Sequence, residues 1–122
     1  RRCLMALHWT DFPDAPAIGT PVCATRDILA GVTSLLLDDF PILIVKDAAG
    51  TRAFVNACPH QFLPLDTRGD VLGAGGRHLI CSNHDAAFDA QTGQGVAGFG
   101  LNCALSVVPL ALSQDQWVIG AD

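Results

Sequence analysis

Two cysteine–histidine pairs, on separate short stretches, constrain this chain more than any other feature of its 122 residues. The first pair is Cys58-Pro59-His60 and the second is Cys81-Ser82-Asn83-His84, with twenty residues and several glycines between them. Thiolate is a soft ligand and imidazole a borderline one, so that two of each describe a transition-metal site. Any fold of this chain therefore has to bring two loops together around one metal centre.

The residues after the second pair extend this pattern. The run Phe88-Asp89-Ala90-Gln91-Thr92-Gly93 is similar to the F-D-x-x-T-G run that follows the second ligand pair in Rieske ferredoxins and oxygenases. With the four ligands, it makes residues 53–110 resemble a Rieske [2Fe–2S] domain, in which two Cys hold one iron and two His hold the other. The resemblance implies that a [2Fe–2S] cluster is bound by Cys58, His60, Cys81 and His84.

A zinc site is the alternative for the same four residues, because zinc also accepts two Cys and two His. Zinc fingers present two Cys together and then two His together, whereas each stretch here contributes one Cys and one His. The ligand order and the run over residues 88–93 favour the iron–sulfur interpretation.

Four positions depart from the high-potential branch of the family. Respiratory Rieske proteins carry a further Cys in each loop, and the matching residues here are Leu63 and Asn83. The same proteins place Ser and Tyr hydroxyls near the cluster sulfurs, where this chain has Ala86 and Phe88. Fewer donors leave more negative charge on sulfur and disfavour reduction. We therefore expect a potential near the low end of the range of about −150 to +300 mV.

Short apolar stretches between turn residues predict an all-β fold. The resemblance implies a Rieske-like β-sandwich or barrel, with a small cluster-binding β-subdomain at residues 56–100 of a single domain that spans residues 1–122. Turns are predicted at residues 38–41 and 47–50. The predicted strands are residues 21–25, 34–37, 42–46, 51–57, 77–82, 86–89, 105–110 and 116–119.

The charge and the apolar pattern exclude two classes of partner. The net charge of −5 argues against nucleic acid, whose phosphates call for Lys and Arg. No stretch approaches the roughly 20 apolar residues that a transmembrane helix needs. We therefore expect neither nucleic acid nor membrane as a partner.

The cysteine count is five, an odd number, so that not all of them can pair in disulfides. With Cys58 and Cys81 holding metal, Cys3, Cys23 and Cys103 remain. Free Cys packs well in cores, and we expect these three to be buried apolar residues rather than ligands. Free thiols and an iron–sulfur site both suit a reducing cytoplasm, which is the predicted location.

Three functions remain open. The resemblance implies an electron carrier that takes one electron from a flavin-dependent reductase and passes it to a terminal oxygenase. The alternatives are a small cluster-bearing subunit of a larger oxidoreductase, as in nitrite reductase, and a redox sensor. Rieske oxygenases bind a mononuclear iron with two further His, and no His follows His84 here. We therefore predict no catalytic residue and do not expect this chain by itself to be an enzyme. Gln61-Phe62 and Phe99 near the loops fit either core packing or partner docking.

Overall fold

The structure is a computed structural model that describes residues 8–57, 78–81, 86–97 and 103–121. This part of the chain forms ten strands in three antiparallel sheets, which confirms the all-β fold class. The strands are β1 Pro21–Ala24, β2 Gly31–Leu37, β3 Phe40–Asp47, β4 Gly50–Val55, β5 His78–Ile80, β6 Ala87–Asp89, β7 Gly95–Ala97, β8 Val107–Val108, β9 Leu110–Ser113 and β10 Gln116–Ile119.

The helical content of the described residues is two short 3₁₀ turns, Trp9–Asp11 and Thr25–Asp27. The first turn begins with His8, whose Nδ1 accepts a hydrogen bond from the backbone N–H of Thr10 at 3.3 Å. Within the described ranges, no helix has the length and hydropathy needed to cross a membrane.

The chain divides into two compact units. The two-sheet unit comprises His8–Val55 and Val107–Asp122, and the insert unit comprises Arg1–Leu7 and Asn56–Ser106. Two sheets belong to the first unit, with strand orders β2-β3-β4-β8 and β1-β10-β9. The third sheet, with the order β5-β6-β7, belongs to the insert unit.

Strand β3 forms the centre of the two-sheet unit because its sequence is apolar on both faces. Ile42, Leu43, Ile44 and Val45 are consecutive, and each is at most 1% exposed. β-branched and Leu residues in an unbroken run are typical of a strand that is buried on both sides. Burial of each such side chain stabilises the fold by about 1.5–3 kcal/mol.

Two tight hairpins fix the register of this central strand. Asp38 and Asp39 connect β2 to β3 with φ values of 46° and 73°, which a two-residue hairpin turn of the primed type requires. The predicted turn at residues 38–41 is therefore shorter than expected, because Phe40 already pairs with Leu37. The predicted turn at residues 47–50 is confirmed, since Asp47 pairs with Gly50 across two intervening residues.

The predicted strand at residues 105–110 is wrong in its bounds. Pro109 separates β8 from β9, and Pro has no backbone N–H to donate to a sheet. The two strands join different sheets, since β8 pairs with β4 and β9 pairs with β10.

Candidate metal centre

Cys81 is the predicted ligand that lies among the described residues, directly after β5. The other three predicted ligands lie outside them: Cys58, His60 and His84. Five further residues that the sequence analysis singled out also lie outside the described ranges: Gln61, Phe62, Leu63, Asn83 and Phe99.

The hairpin of β5 and β6 positions Cys81. Ile80 pairs with Ala87, and the backbone N–H of Cys81 donates to the carbonyl oxygen of Ala86 at 2.8 Å. These interactions hold Cys81 and Ala86 opposite each other at the end of the hairpin. Cys81 itself is fully buried and is not in a disulfide bond. Its thiol is therefore held at a defined point, away from bulk water.

The residues next to Cys81 in this hairpin are apolar and buried. Phe88 of β6 pairs with Leu79 of β5, and both side chains are fully buried, as is that of Ala86. Neither Ala86 nor Phe88 carries a hydroxyl, so neither side chain can donate a hydrogen bond to sulfur.

The run at residues 88–93 has a physical reason in the turn that follows β6. One carboxylate oxygen of Asp89, Oδ1, accepts hydrogen bonds from the backbone N–H groups of Gln91 at 2.7 Å and Thr92 at 3.1 Å. The hydroxyl oxygen of Thr92 accepts one from the N–H of Gln94 at 3.2 Å. Gly93 has φ 80°, in the left-handed region that favours glycine. Asp, Thr and Gly are thus the residue types that this turn needs.

The same turn is bonded to two further segments through its backbone. Asp89 N–H donates to the Gln94 carbonyl oxygen at 2.7 Å, which begins the pairing toward β7. Leu105 N–H donates to the Gly93 carbonyl oxygen at 2.8 Å, and Gly95 N–H donates to that of Cys103 at 2.9 Å. The turn therefore holds β6, β7 and the segment 103–105 in one network.

The cysteines outside the predicted ligand set differ from expectation. Cys103 is 5% exposed, as predicted, but it is disulfide-bonded, so the prediction of a free thiol is wrong. Its partner is not among the described residues. Cys23 is a free thiol in β1 and is half-buried rather than fully buried. Burial, and then the nearby charge of Asp27, raise the pKa of the Cys23 thiol.

Sequence reasoning missed the Cys103 disulfide because pairing depends on proximity in space, whereas the odd cysteine count only limits the number of bonds. Among the described residues, no three His, Cys, Asp or Glu side chains come together as a further metal site. His78 lies in β5 opposite Asp89, away from any ligand pattern in the sequence.

Comparison with protein-family models matches residues 19–106 to the Rieske [2Fe-2S] domain. A comparison with curated protein sequences finds no match. The family match includes both Cys-His pairs and the turn at residues 88–93.

Solved structures with the same fold are numerous. The ferredoxin of carbazole 1,9a-dioxygenase from Nocardioides aromaticivorans IC177 is 20% identical, with a TM-score of 0.70 over 87% of this chain and 100% of that chain. The terminal oxygenase of the same system is 16% identical, with a TM-score of 0.68 over 84% of this chain and 30% of that chain. A putative small subunit of an NADPH nitrite reductase is 15% identical, with a TM-score of 0.63 over 86% of this chain and 100% of that chain.

Proposed function

Because this chain belongs to the Rieske [2Fe–2S] domain family, we propose that it carries single electrons from a flavin-dependent reductase to a terminal oxygenase. The observation that carries the proposal is the buried thiol of Cys81 at the end of the β5–β6 hairpin, inside the residues that match the family. A cluster bound there supplies reversible one-electron chemistry. The protein has to hold the cluster and limit its contact with water.

The proposed ligands are Cys58 and Cys81 on one iron and His60 and His84 on the other. Two thiolates and two neutral imidazoles fit a Rieske cluster by charge and softness. In support, Cys81 is not in a disulfide, as a thiolate ligand requires, and its burial limits contact with water.

The proposed partners rest on two similarities. One similar structure is the ferredoxin of a dioxygenase, and this chain covers all of that ferredoxin. Another is a terminal oxygenase, of which this chain covers 30%. The reductase follows from the general role of Rieske ferredoxins and has no counterpart among these similarities. A single domain over residues 1–122 is part of the proposal.

The small subunit of a larger oxidoreductase is the second candidate. A single observation favours it, the similarity to a putative nitrite reductase small subunit at a TM-score of 0.63. That similarity is weaker than the one to the dioxygenase ferredoxin, at 0.70. A redox sensor has no specific observation in its favour.

We place the carrier in the cytoplasm. In support, Cys23 is a free thiol and Cys81 is not in a disulfide, and retained thiols are usual in reducing compartments. The disulfide of Cys103 is the departure from that pattern among the described residues. Cell fractionation tests the location, and recovery of the protein outside the cytoplasmic fraction would contradict it.

The first experiment tests for the cluster. Protein purified from iron-replete cells is expected to contain iron and sulfide in equal amounts, at one [2Fe–2S] cluster per chain. Its reduced form is expected to show the low average g-value of a His-ligated centre by electron paramagnetic resonance. Stoichiometric zinc without sulfide would exclude the proposed function.

The second experiment separates the carrier from the alternatives. The protein is mixed in a stopped-flow instrument with a flavin-dependent reductase encoded beside its gene, and then with the oxygenase encoded there. Fast reduction followed by oxidation on the oxygenase is expected of a carrier. A stable complex with one large oxidoreductase throughout turnover would favour the subunit, and slow exchange with both partners would favour the sensor.

A further inference from the structure

Strand β2 lies at one end of its sheet and lacks the features that usually protect such a position. Among the strands that the structure describes, its only neighbour is β3. Its seven residues, Gly31–Leu37, include no charged residue and no Pro, and the pairing with β3 runs without a bulge. End strands are usually short or carry charges, Pro or bulges, because their outer backbone groups can otherwise pair with another chain.

The other end strands of the described sheets do have such protection. β8 has two residues and is followed by Pro109, after which β9 has four. β1 begins at Pro21 and has a register shift before Cys23. β5 and β7 have three residues each. In the part of the chain that the structure describes, β2 is thus the one long and regular end strand.

The β2–β3 hairpin decides which backbone groups of β2 point outward. Leu37 pairs with Phe40 across a two-residue turn, which makes them a hydrogen-bonded pair. Bonded and non-bonded pairs alternate along an antiparallel ladder, and Leu36 indeed lies opposite Pro41, which has no N–H. The backbone groups of Leu36, and by the same alternation those of Val32, therefore point away from β3. Among the described residues, they have no hydrogen-bond partner on that side.

Opposite charges lie at the two ends of β2. Lys46 of β3 pairs with Gly31, and its ammonium group donates to the carbonyl oxygen of Ile28, just before β2, at 3.3 Å. Asp38 and Asp39 form the turn at the other end. Within the described ranges, none of these three charged side chains has a salt bridge. The strand is therefore flanked by an unpaired cation at its start and by unpaired anions at its end.

We propose that two copies of this chain pair through β2, antiparallel and related by a two-fold axis at Ser34. This arrangement places Val32 of each copy opposite Leu36 of the other, so that their outward groups form four backbone hydrogen bonds. It also brings Asp38 of each copy to the end of β2 at which Lys46 of the other lies. Opposite charges then meet twice, whereas a parallel pairing would bring like charges together. The charge pattern therefore fits a second copy of this chain.

The exposed side chains of β2 fit the same arrangement. Leu36 is apolar and yet 69% exposed, and in the pair it packs beside Val32 of the other copy on one face of the joined sheet. The net charge of −5 opposes a broad contact between two copies, which a contact limited to uncharged strands avoids. Arg26 and Asp27, in the turn before β2, add no net charge. An interface of one strand from each copy is small, so the dimer is expected to dissociate on dilution.

Sedimentation velocity over a range of protein concentrations tests for the dimer. The wild-type protein is expected to shift from monomer to dimer as its concentration rises. The shift is expected both in iron-loaded protein and in protein without iron, because β2 belongs to the two-sheet unit. Protein that stays monomeric up to millimolar concentration would overturn the proposal.

Lysine variants test the contact surface. Leu36→Lys places a charge on the end strand and is expected to weaken dimerisation by more than about tenfold. The matched control is Leu112→Lys, because Leu112 is 63% exposed on β9, an end strand of the other sheet of this unit. An unchanged dimer in Leu36→Lys, or an equal loss in Leu112→Lys, would exclude β2 as the contact.

Charge variants test the two-fold arrangement. Lys46→Glu brings like charges together at both ends and is expected to weaken dimerisation. Adding Asp38→Asn and Asp39→Asn is expected to restore part of it, and Asn tolerates the positive φ values of this turn. Added salt is expected to weaken the wild-type dimer. Asp115→Asn, in the β9–β10 turn, is the control. A wild-type affinity in Lys46→Glu would exclude this arrangement.

Engineered cysteines test the register and cover the case in which a charged variant fails to fold. In a Cys23→Ser background, Val32→Cys protein and Leu36→Cys protein are mixed and oxidised with diamide. Opposite residues of a bonded pair have Cα atoms about 5.5 Å apart, within the range of a disulfide, so the mixture is expected to form a cross-linked dimer of the two variants. In either variant alone, the two engineered thiols lie about 13 Å apart along the joined strands, and no cross-link is expected. A cross-link within one variant, or none in the mixture, would overturn the proposed pairing.

Discussion

Different interactions stabilise each of the two units internally. The two-sheet unit has strands of up to eight residues, and its central strand β3 contributes a run of fully buried apolar side chains. In the described part of the insert unit, the strands have three residues each. There, side-chain oxygens of Asp89 and Thr92 bond the backbone of one turn, and Cys103 adds a disulfide.

Among the described residues, this difference follows from strand length, which limits the apolar surface that each sheet can bury. Strands of three residues present one or two side chains to each face, which is too little for an independent sheet of that size. Small units of this kind depend on cross-links, metals or specific polar bonds. Substitutions in the insert unit should therefore change cluster retention, whereas those in the two-sheet unit should change global stability.

The largest effect is expected from Cys81→Ser. Loss of this thiolate removes one of two proposed sulfur ligands from the same iron, so that the cluster is expected to be absent by colour, iron assay and electron paramagnetic resonance. The two-sheet unit contains none of the proposed ligands, and its β signal in circular dichroism is expected to remain. Cys23→Ser is the matched control and should retain the cluster. Full cluster content in Cys81→Ser would remove Cys81 from the ligand set.

Phe54→Ala is expected to produce the next largest effect, in the two-sheet unit. Phe54 is 1% exposed, and truncation of a buried Phe lowers the free energy of unfolding by about 3–5 kcal/mol. Urea denaturation measures the change. Val107 lies opposite Phe54 on β8 but is 53% exposed, so that Val107→Ala should remain within about 0.5 kcal/mol of wild type. Equal losses in the two variants would contradict the burial pattern.

Asp89→Ala tests the polar turn of the insert unit. It removes the acceptor of two backbone N–H groups, and each lost bond lowers stability by roughly 1 kcal/mol. Cluster loss in a denaturant titration is expected to move to lower concentration, with unfolding of the two-sheet unit little changed. Asp89→Asn keeps an acceptor oxygen, so that its cluster should be lost at nearly the wild-type denaturant concentration. If Asp89→Asn loses the cluster as early as Asp89→Ala, the charge of Asp89 rather than its hydrogen bonds stabilises the turn.

Phe88→Tyr sharpens the prediction of a low potential. If the new hydroxyl reaches a cluster-bound sulfur, a hydrogen bond of about 1 kcal/mol to the reduced state raises a one-electron potential by roughly 40 mV. A redox titration measures the shift, and Phe88→Leu is the control without a hydroxyl. An unchanged midpoint in both variants would show that this side chain points away from sulfur.

The smallest effect concerns an exposed ion pair beside the β3–β4 turn. The hydrogen bond from the Arg52 side chain, followed by that from the Ala49 backbone, lowers the pKa of Asp47. A carboxyl with a lower pKa in the folded state than in the unfolded state stabilises the protein at pH values above its unfolded-state pKa. This stabilisation is lost as the pH falls through its folded-state pKa. Melting temperatures of wild type and Asp47→Asn should therefore converge on acidification below about pH 4. If the two melting temperatures moved apart in acid, the pKa of Asp47 would be raised on folding rather than lowered.

Regular parts of the fold were predictable from local sequence. β10 matches the predicted strand 116–119, and the hairpin at residues 47–50 follows from a polar turn that ends in Gly. These elements depend on composition over a few residues. The bounds of β2 were harder, because the strand begins at Gly31, a residue that the sequence alone marks as a turn.

Long-range features were not predictable in the same way. β7 has only three residues, and its pairing with β6 depends on the turn network at Asp89 rather than on its own pattern. The Cys103 disulfide is likewise decided by proximity in space. The ligand set is the opposite case, since the two Cys-His pairs that predict it are local sequence motifs. It stays a prediction for all four residues, including Cys81, whose burial is consistent with it.

The pairing of β4 with β8 has an evolutionary consequence. Ala53 and Phe54 pair with Val108 and Val107, so that the segment 56–106 leaves and rejoins one sheet on adjacent strands. In topological terms it is a long hairpin loop, and the entropy of closing such a loop grows slowly with its length. Insertions or deletions within the segment are therefore expected to cost the host sheet little loop-closure entropy. The two-sheet unit can therefore tolerate changes in the length of the segment that contains the proposed ligands.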